Sequence, residues 1–282
     1  AVERIEAAVP ALLEGLTEDG WAPAATGIMT TDTAPKGLSL APDEAHPYTL
    51  TGISKGAGMI RPDMATMLAF LATDAPVAPA LLQNLLRQAV DRSFNRITID
   101  GDTSTNDAVT LVATGQASMP RLEDPEDPRV LAFAERLSDL CRYLAQAIVR
   151  DGEGATKFVT VEVSEARSEA EALAAAYTIA HSPLVKTALF AGDPNWGRIL
   201  AALGRAGIDD LAVEGVRLQL NGLTIAEAGA LAPSYREADG AAVMKEEELT
   251  LAVALGRGQA SGTVWTTDFS YDYVKINAEY RS

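Results

Sequence analysis

Apolar residues recur at helical spacing over residues 1–17 (AVERIEAAVPALLEGLT), where Pro10 predicts a break or a helix start. Residues 18–50 are polar, glycine-rich turns around the short run ATGIMTTDT. The stretch KGAGMIRPDMATMLAFLATDA, Lys55 to Ala75, then passes from a glycine-rich turn into an apolar run. A helical pattern follows through ALLQNLLRQAVDRSFN, a strand over ITID at 97–100, and a loop over DGDTSTND. The strongest helix is predicted over 127–150. There Val130, Phe133, Ala134, Leu137, Leu140, Cys141, Leu144 and Ile148 share one stripe, and DGEG stops it.

KFVTVEVSEA reads as a strand and SEAEALAAAYTIAHS as a helix. DPNWGRILAALGRAG opens on a capping residue, Asp193 or Asn195, and enters another helix. The last eighty or so residues change character, because VRLQLNG, LTLAVALG and SGTVWTTDF alternate as half-buried strands do. Helices mixed with antiparallel-looking strands predict a layered α/β or α+β body. With neither a low-complexity linker nor an internal repeat, one domain spanning 1–282 is expected.

Composition narrows the partners. The chain is 48% hydrophobic and 22% charged, with a net charge of -16. Such acidity keeps a surface solvated and opposes binding to nucleic acid, whose phosphates need a Lys/Arg face. No apolar run has the length of a membrane span, and no basic-then-apolar leader is seen. The lone cysteine, Cys141, lies on the apolar stripe of its helix and is expected to be a buried thiol in a reducing, cytoplasmic setting.

Several familiar chemistries fail on spacing. In KGAGM the lysine precedes the glycines, whereas a phosphate loop needs it late. DGDTSTND has Asp100, Asp102 and Ser104 at alternate positions, but Thr105 and Leu111 stand where a calcium loop needs glycine and glutamate. Side chains bonding to local backbone explain that loop better. His46 and His181, the only histidines, lack metal-ligand spacing, so no metal is expected and both read as structural.

Thr66 offers another route. Its hydroxyl becomes a useful nucleophile if a base takes its proton, and an α-amino group serves when the threonine is a chain terminus. An amine of pKa roughly 7.7–8.0 is well placed for that transfer. The Ala65–Thr66 peptide bond would first have to break. On the residues alone, an Ala-Thr pair before an apolar run reads more often as a strand entering the core.

A resemblance shifts that balance. KGAGMIRPDMATMLAF resembles the signature of the ornithine acetyltransferase family, the self-cleaving bifunctional glutamate N-acetyltransferases. MTTDT (29–33), SFNRITIDGDTSTND (93–107), DGEGATKF (151–158), SPLVKTALF (182–190), DPNWGRI (193–199) and SYDYVKINAEYRS (270–282) resemble further family blocks in family order. The resemblance implies an α+β fold of four layers, an α-β-β-α sandwich, shared with the threonine-nucleophile aminopeptidases. It implies cleavage between Ala65 and Thr66, with Thr66 as nucleophile. Thr30, Lys55, Glu153, Asn277 and the terminal Ser282 would line the substrate site beside it.

The implied reaction carries acetyl from N-acetylornithine to glutamate through an acetyl-threonine, without a cofactor; some relatives also accept acetyl-CoA as donor. The implied assembly is a heterotetramer of associated fragments. A threonine-nucleophile amidase or aminopeptidase and a non-catalytic remnant are the rival expectations. The chain departs from the family at Arg61-Pro62-Asp63, where His-Pro-Asn is common, and at Ser282, where threonine is common. A family segment before Ala1, with a Thr-Gly pair thought to form the oxyanion hole, is expected to be missing from this sequence.

Overall fold

The computed structural model describes residues 2–61 and 67–280. Two helices come first, α1 (Val2–Glu14) and α2 (Trp21–Gly27). Pro10 lies inside α1 and does not start it, and none of the residues of α1 is buried. Residues 18–50, expected to be turns, contain α2 and a first strand, β1 (Lys36–Leu40).

The first sheet joins β1 to β2 (Leu50–Lys55), β3 (Leu68–Thr73) and β4 (Ala108–Ala113), in that order. β1, β2 and β3 run antiparallel, while β3 and β4 run parallel. The register sets Lys55, the last residue of β2, opposite Leu68, the first of β3. Two helices, α3 (Pro79–Asp91) and α4 (Pro128–Arg150), pack on this sheet. The predicted stripe of α4 is buried almost entirely, with Ala134 half-covered at its border. Asp127 caps its start by accepting a hydrogen bond from the Arg129 N–H at 2.8 Å. Cys141 is fully buried on that stripe, and burial pushes its thiol pKa up to about 12.

Residues 97–100 are not the expected strand. Ile97 and Ile99 are buried as alternation predicts. Their neighbourhood is divided, however: the Thr98 N–H donates to the Trp265 carbonyl at 2.9 Å and the Ile99 N–H to the Ile60 carbonyl at 2.8 Å. Two partners on separate segments leave a single bridge, Ile97 with Trp265, where a ladder needs one continuous neighbour.

The second half of the chain builds a six-stranded sheet. Its strands are β5 (Phe158–Ala166), β6 (Arg217–Leu220), β7 (Leu223–Glu227), β8 (Ala230–Leu231), β9 (Glu248–Ala254) and β10 (Ala260–Thr267), in the order β10-β5-β9-β6-β7-β8. β5 and β9 are parallel and the other pairs antiparallel. Helices α5 (Glu169–Ala180), α6 (Pro183–Phe190) and α7 (Trp196–Leu203) supply the apolar side chains that meet this sheet. Asn195, not Asp193, caps α7, through the Arg198 N–H at 3.0 Å. A short helix, α8 (Glu237–Val243), precedes β9, and α9 (Tyr271–Glu279) follows β10.

The result is the expected α+β architecture of two helix-covered sheets, with one apolar cluster under each. Among the described residues no helix is long and apolar enough to cross a membrane.

Candidate active site

The end of β2 organises the site. Lys55 is buried, and its Nζ donates to Thr30 Oγ1 at 3.2 Å. The next residue, Gly56, donates its N–H to Asp32 Oδ1 at 2.8 Å, and the Thr30 N–H donates to Asp32 Oδ2 at 3.1 Å. Burial presses the Asp32 pKa upward, but the hydrogen bonds from Gly56, Lys36 and Thr30 outweigh it and hold the carboxyl below its ordinary range.

The DGEG turn that stops α4 lies against the glycine turn after Lys55. Its Glu153 N–H donates to the Ala57 carbonyl at 2.8 Å. The Glu153 carboxylate lies flat on Gly58, where an added Cβ would stand 2.4 Å from Oε2. Only glycine leaves room for that approach. From the other side, Asn277 Nδ2 donates to Glu153 Oε2 at 2.7 Å.

Asn277 is delivered by α9, and α9 is docked at its N-terminus. Ser270 Oγ caps the helix by accepting from the N–H groups of Asp272 and Tyr273, and it donates to the Gly154 carbonyl at 2.6 Å. Gly154 has φ +65°, and a Cβ on it would lie 2.4 Å from the Tyr273 nitrogen. Gly154→Ala is therefore expected to unseat α9 while the sheets persist. Positive φ alone costs an L-residue about 1–2 kcal/mol, and the clash is with main chain that cannot rotate away. Amide exchange over 271–279 should speed up by about tenfold or more, with β5 and β9 unchanged; parent protection over α9 would refute the docking.

Tyr273 also reaches the glycine turn. Its ring stacks on Phe269 with centroids 4.5 Å apart, and its hydroxyl donates to Asp100 Oδ2 at 3.4 Å. Asp100 accepts the N–H groups of Met59 at 2.7 Å, Ile60 at 3.1 Å and Asp102 at 3.2 Å. That is the local-backbone role expected of the DGDTSTND loop. It holds Met59 at φ +53°, a conformation that non-glycine residues seldom adopt. Burial raises the Asp100 pKa, with those N–H groups acting against it, and burial together with Asp100 raises the Tyr273 phenol.

Behind the site, Asp268 accepts from the N–H groups of Thr156 and Lys157 and from the Thr156 hydroxyl, which ties the chain after DGEG to the end of β10. Neither histidine enters the site. His46 bonds to Asp43, and His181 Nε2 lies 3.1 Å from Thr98 Oγ1. Burial, then Arg61 and Lys186, lower the His181 pKa to about 4.

Four of the residues singled out by sequence thus meet. Thr30 pairs with Lys55, Glu153 pairs with Asn277, and the turn after Lys55 joins the two pairs. Ala65, Thr66 and Ser282 lie outside the described residues. Along the C-terminal block SYDYVKINAEYRS, Tyr273 is anchored on Phe269, Ile276 is half-buried, and Tyr271 is 83% exposed, touching Phe190 edge-on. Sequence reasoning passed over Asp32, although it stands inside the matched block MTTDT, and read Asp100 only as a loop residue bonding to local backbone. Asp32 carried a usable signal, a lysine four residues on at Lys36, with which it closes an ion pair.

Fold and site together define an α+β protein with a lysine and a glutamate held apart across a rigid glycine turn at a strand end. The ArgJ family model matches residues 1–282. The chain is 57% identical over 282 residues to the arginine biosynthesis bifunctional protein ArgJ of Pseudomonas syringae pv. tomato, covering all of this chain and 70% of that protein. Identity and coverage are the same for the arginine biosynthesis bifunctional protein ArgJ of Pseudomonas fluorescens. A crystal structure of the arginine biosynthesis bifunctional protein argJ from Bacillus halodurans superposes with a TM-score of 0.72 at 40% identity, over 76% of this chain and all of that one. The chain belongs to the ArgJ family.

Proposed function

We propose that this chain is the acetyl-transfer body of a glutamate N-acetyltransferase of arginine biosynthesis, acting in the cytoplasm. The observation that carries the reading is the pairing of Lys55 with Thr30 and of Glu153 with Asn277 across one turn. An N-acetylated diamino acid offers a carboxylate for the ammonium of Lys55 and a side-chain ammonium for Glu153. Glutamate, the acceptor, shares the first group and lacks the second.

In this reading the Ala65–Thr66 bond is cut, and the new α-amino group of Thr66 takes the proton from its hydroxyl. The oxygen attacks the acetyl carbonyl of N-acetylornithine. Collapse of the tetrahedral adduct expels ornithine, which leaves with the proton, and the acetyl group remains as a threonine ester. The amine of glutamate then attacks that ester, N-acetylglutamate departs, and the hydroxyl is regenerated. The pieces 1–65 and 66–282 stay together because β2 and β3, on either side of the cut, pair over six consecutive positions from Leu50↔Thr73 to Lys55↔Leu68. Two such pairs would make the heterotetramer.

The test uses a form extended to the length of its relatives, supplied with N-acetylornithine or acetyl-CoA, with and without glutamate. N-acetylglutamate made from N-acetylornithine supports the proposal; acetate released equally without glutamate marks an amidase, and no turnover a binding protein. In the same assay Glu153→Gln is expected to raise the KM for N-acetylornithine by about 10–100-fold, the usual scale for a lost charge-assisted bond, while the KM for glutamate changes little. An unchanged KM for N-acetylornithine would make Glu153 a structural acid.

A further inference from the structure

One buried group of charges touches both halves of the site and has no part in the chemistry proposed above. Lys36 Nζ lies 2.6 Å from Asp32 Oδ1 and 2.5 Å from Asp151 Oδ2, with side-chain exposures of 3%, 0% and 12% for Lys36, Asp32 and Asp151. Each carboxylate also collects main-chain N–H groups. Asp32 takes those of Thr30 and Gly56, and Asp151 takes those of Thr33 at 3.0 Å and Ala34 at 3.4 Å, together with the Thr33 hydroxyl.

The chain positions give this arrangement its consequence. Asp32 stands two residues after Thr30 and bonds to the N–H next to Lys55, so it holds the half of the site that carries the cation. Asp151 stands two residues before Glu153 and opens the turn that holds the anion. Lys36 is the ammonium that joins the two carboxylates. We infer that Asp32, Lys36 and Asp151 are positioning residues that fix the separation of Lys55 from Glu153, and with it the length of α-N-acetylated diamino acid the site accepts. This inference rests on the acetyl-transfer reading for its substrate class, but not for the positioning itself.

The physical case is one of burial. Two carboxylates sharing one ammonium away from water carry a net negative charge, and the N–H groups of Gly56, Thr30, Thr33 and Ala34 absorb the excess. Removing Lys36 leaves two buried carboxylates without their counter-ion, and removing the Asp151 charge unties the turn before Glu153 from the Lys36–Asp32 pair, so in either case the two halves are no longer held to each other. A site loosened in this way no longer measures a chain by one methylene, a difference that well-fitted pockets read as roughly 10–200-fold in kcat/KM.

Asp151→Asn keeps size and an acceptor for Thr33 but gives up the pairing with Lys36. Two measurements on the extended form test the inference. Amide exchange reads the positioning without any turnover. The Glu153 N–H should exchange about tenfold faster or more in Asp151→Asn, while the Gly56 N–H, still held by Asp32, stays at the parent rate. Equal acceleration at both, or at neither, overturns the positioning role. The second measurement is the ratio of kcat/KM for N-acetylornithine to that for Nα-acetyl-lysine, one methylene longer. It should fall about tenfold in Asp151→Asn, mainly through KM; a ratio kept while both substrates decline together overturns the selection by length. A parent without transfer but with the differential exchange sinks the acetyl-transfer reading and the length selection, and leaves the positioning standing. Lys36→Met is expected to accelerate both amides and to lower the ratio further; if it does not fold, Asp151→Asn carries both measurements.

Discussion

Thr66→Ala, in a form extended to the length of its relatives, is expected to yield a single uncut chain without acetyl transfer. The flanks of the junction are unusually well fixed. On one side Asp32 holds the Gly56 N–H, Asp100 holds those of Met59 and Ile60, and the Ile60 carbonyl accepts from Ile99. On the other side Met67 is buried, its N–H donates to Asp107 Oδ1, and Leu68 is already paired with Lys55. An intramolecular attack by a side-chain oxygen on the preceding carbonyl needs such a frame, because effective concentration depends on held geometry. Without the hydroxyl neither the cut nor the acetyl ester can form. Loss of a nucleophile typically lowers turnover by about 10⁴–10⁶-fold. Denaturing mass spectrometry reads the result: the parent should give a fragment beginning Thr-Met-Leu-Ala-Phe, and Thr66→Ala should not. Efficient cutting in Thr66→Ala would remove threonine from the mechanism.

The elements that sequence predicted best are those with one clean period. α4 was legible because seven of its apolar residues fall on one stripe and are buried there. β2 was not, since LTGISK is buried at all six positions and so shows no alternation, and a glycine interrupts it. β4 does alternate, but its covered positions are only half-buried, and AVTLVA without a turn signal between it and DGDTSTND is a weak strand. ITID failed for the opposite reason, since alternation is real there while the hydrogen bonds are divided between two neighbours.

The site was legible through blocks, not through residues. Alone, Lys55 and Glu153 read as surface charges, and only their matched surroundings made them candidates. Pairwise facts such as Glu153 against Gly58, or Asn277 on Glu153, join positions far apart in the chain and leave no local trace. Asp151 was missed for the same reason, because a carboxylate closed on a distant lysine looks in sequence like one facing water, whereas Asp32 and Lys36 stand only four residues apart and were passed over despite that spacing. Lys186 was more accessible to reasoning: in SPLVKTALF it shares the buried side of α6 with Val185, Ala188 and Leu189.

That lysine makes stability depend on pH in the alkaline range. Lys186 is fully buried, donates to Thr266 Oγ1 at 3.0 Å and to the Thr267 carbonyl, and lies 4.6 Å from the centre of the Phe269 ring. Burial pushes its pKa from 10.5 down to about 7, against the pull of Asp268 and Asp100, and His181 adds no charge once neutral above its own pKa of about 4. Between those two lysine values the unfolded chain binds the proton and the folded chain does not, so folding stability must rise with pH. The contribution is fully present above 10.5 and is lost as pH falls toward 7. Other groups close the window from above, because burial raises Cys141 from 9.0 to about 12 and Tyr48 from 10.0 to about 12, and each of these loses stability as pH climbs through its own range. The expected result is therefore a rise of about 2 kcal/mol in unfolding free energy between about pH 7 and about pH 9, followed by a plateau or decline. Urea midpoints at constant ionic strength measure it. Lys186→Met should flatten the rise, since methionine fills similar space and binds no proton, whereas Cys141→Ala should leave the rise and postpone the decline. A parent whose midpoint is level or falling from pH 7 to pH 9 would mean that Lys186 keeps its proton in the folded chain, with Asp268 and Asp100 outweighing the burial.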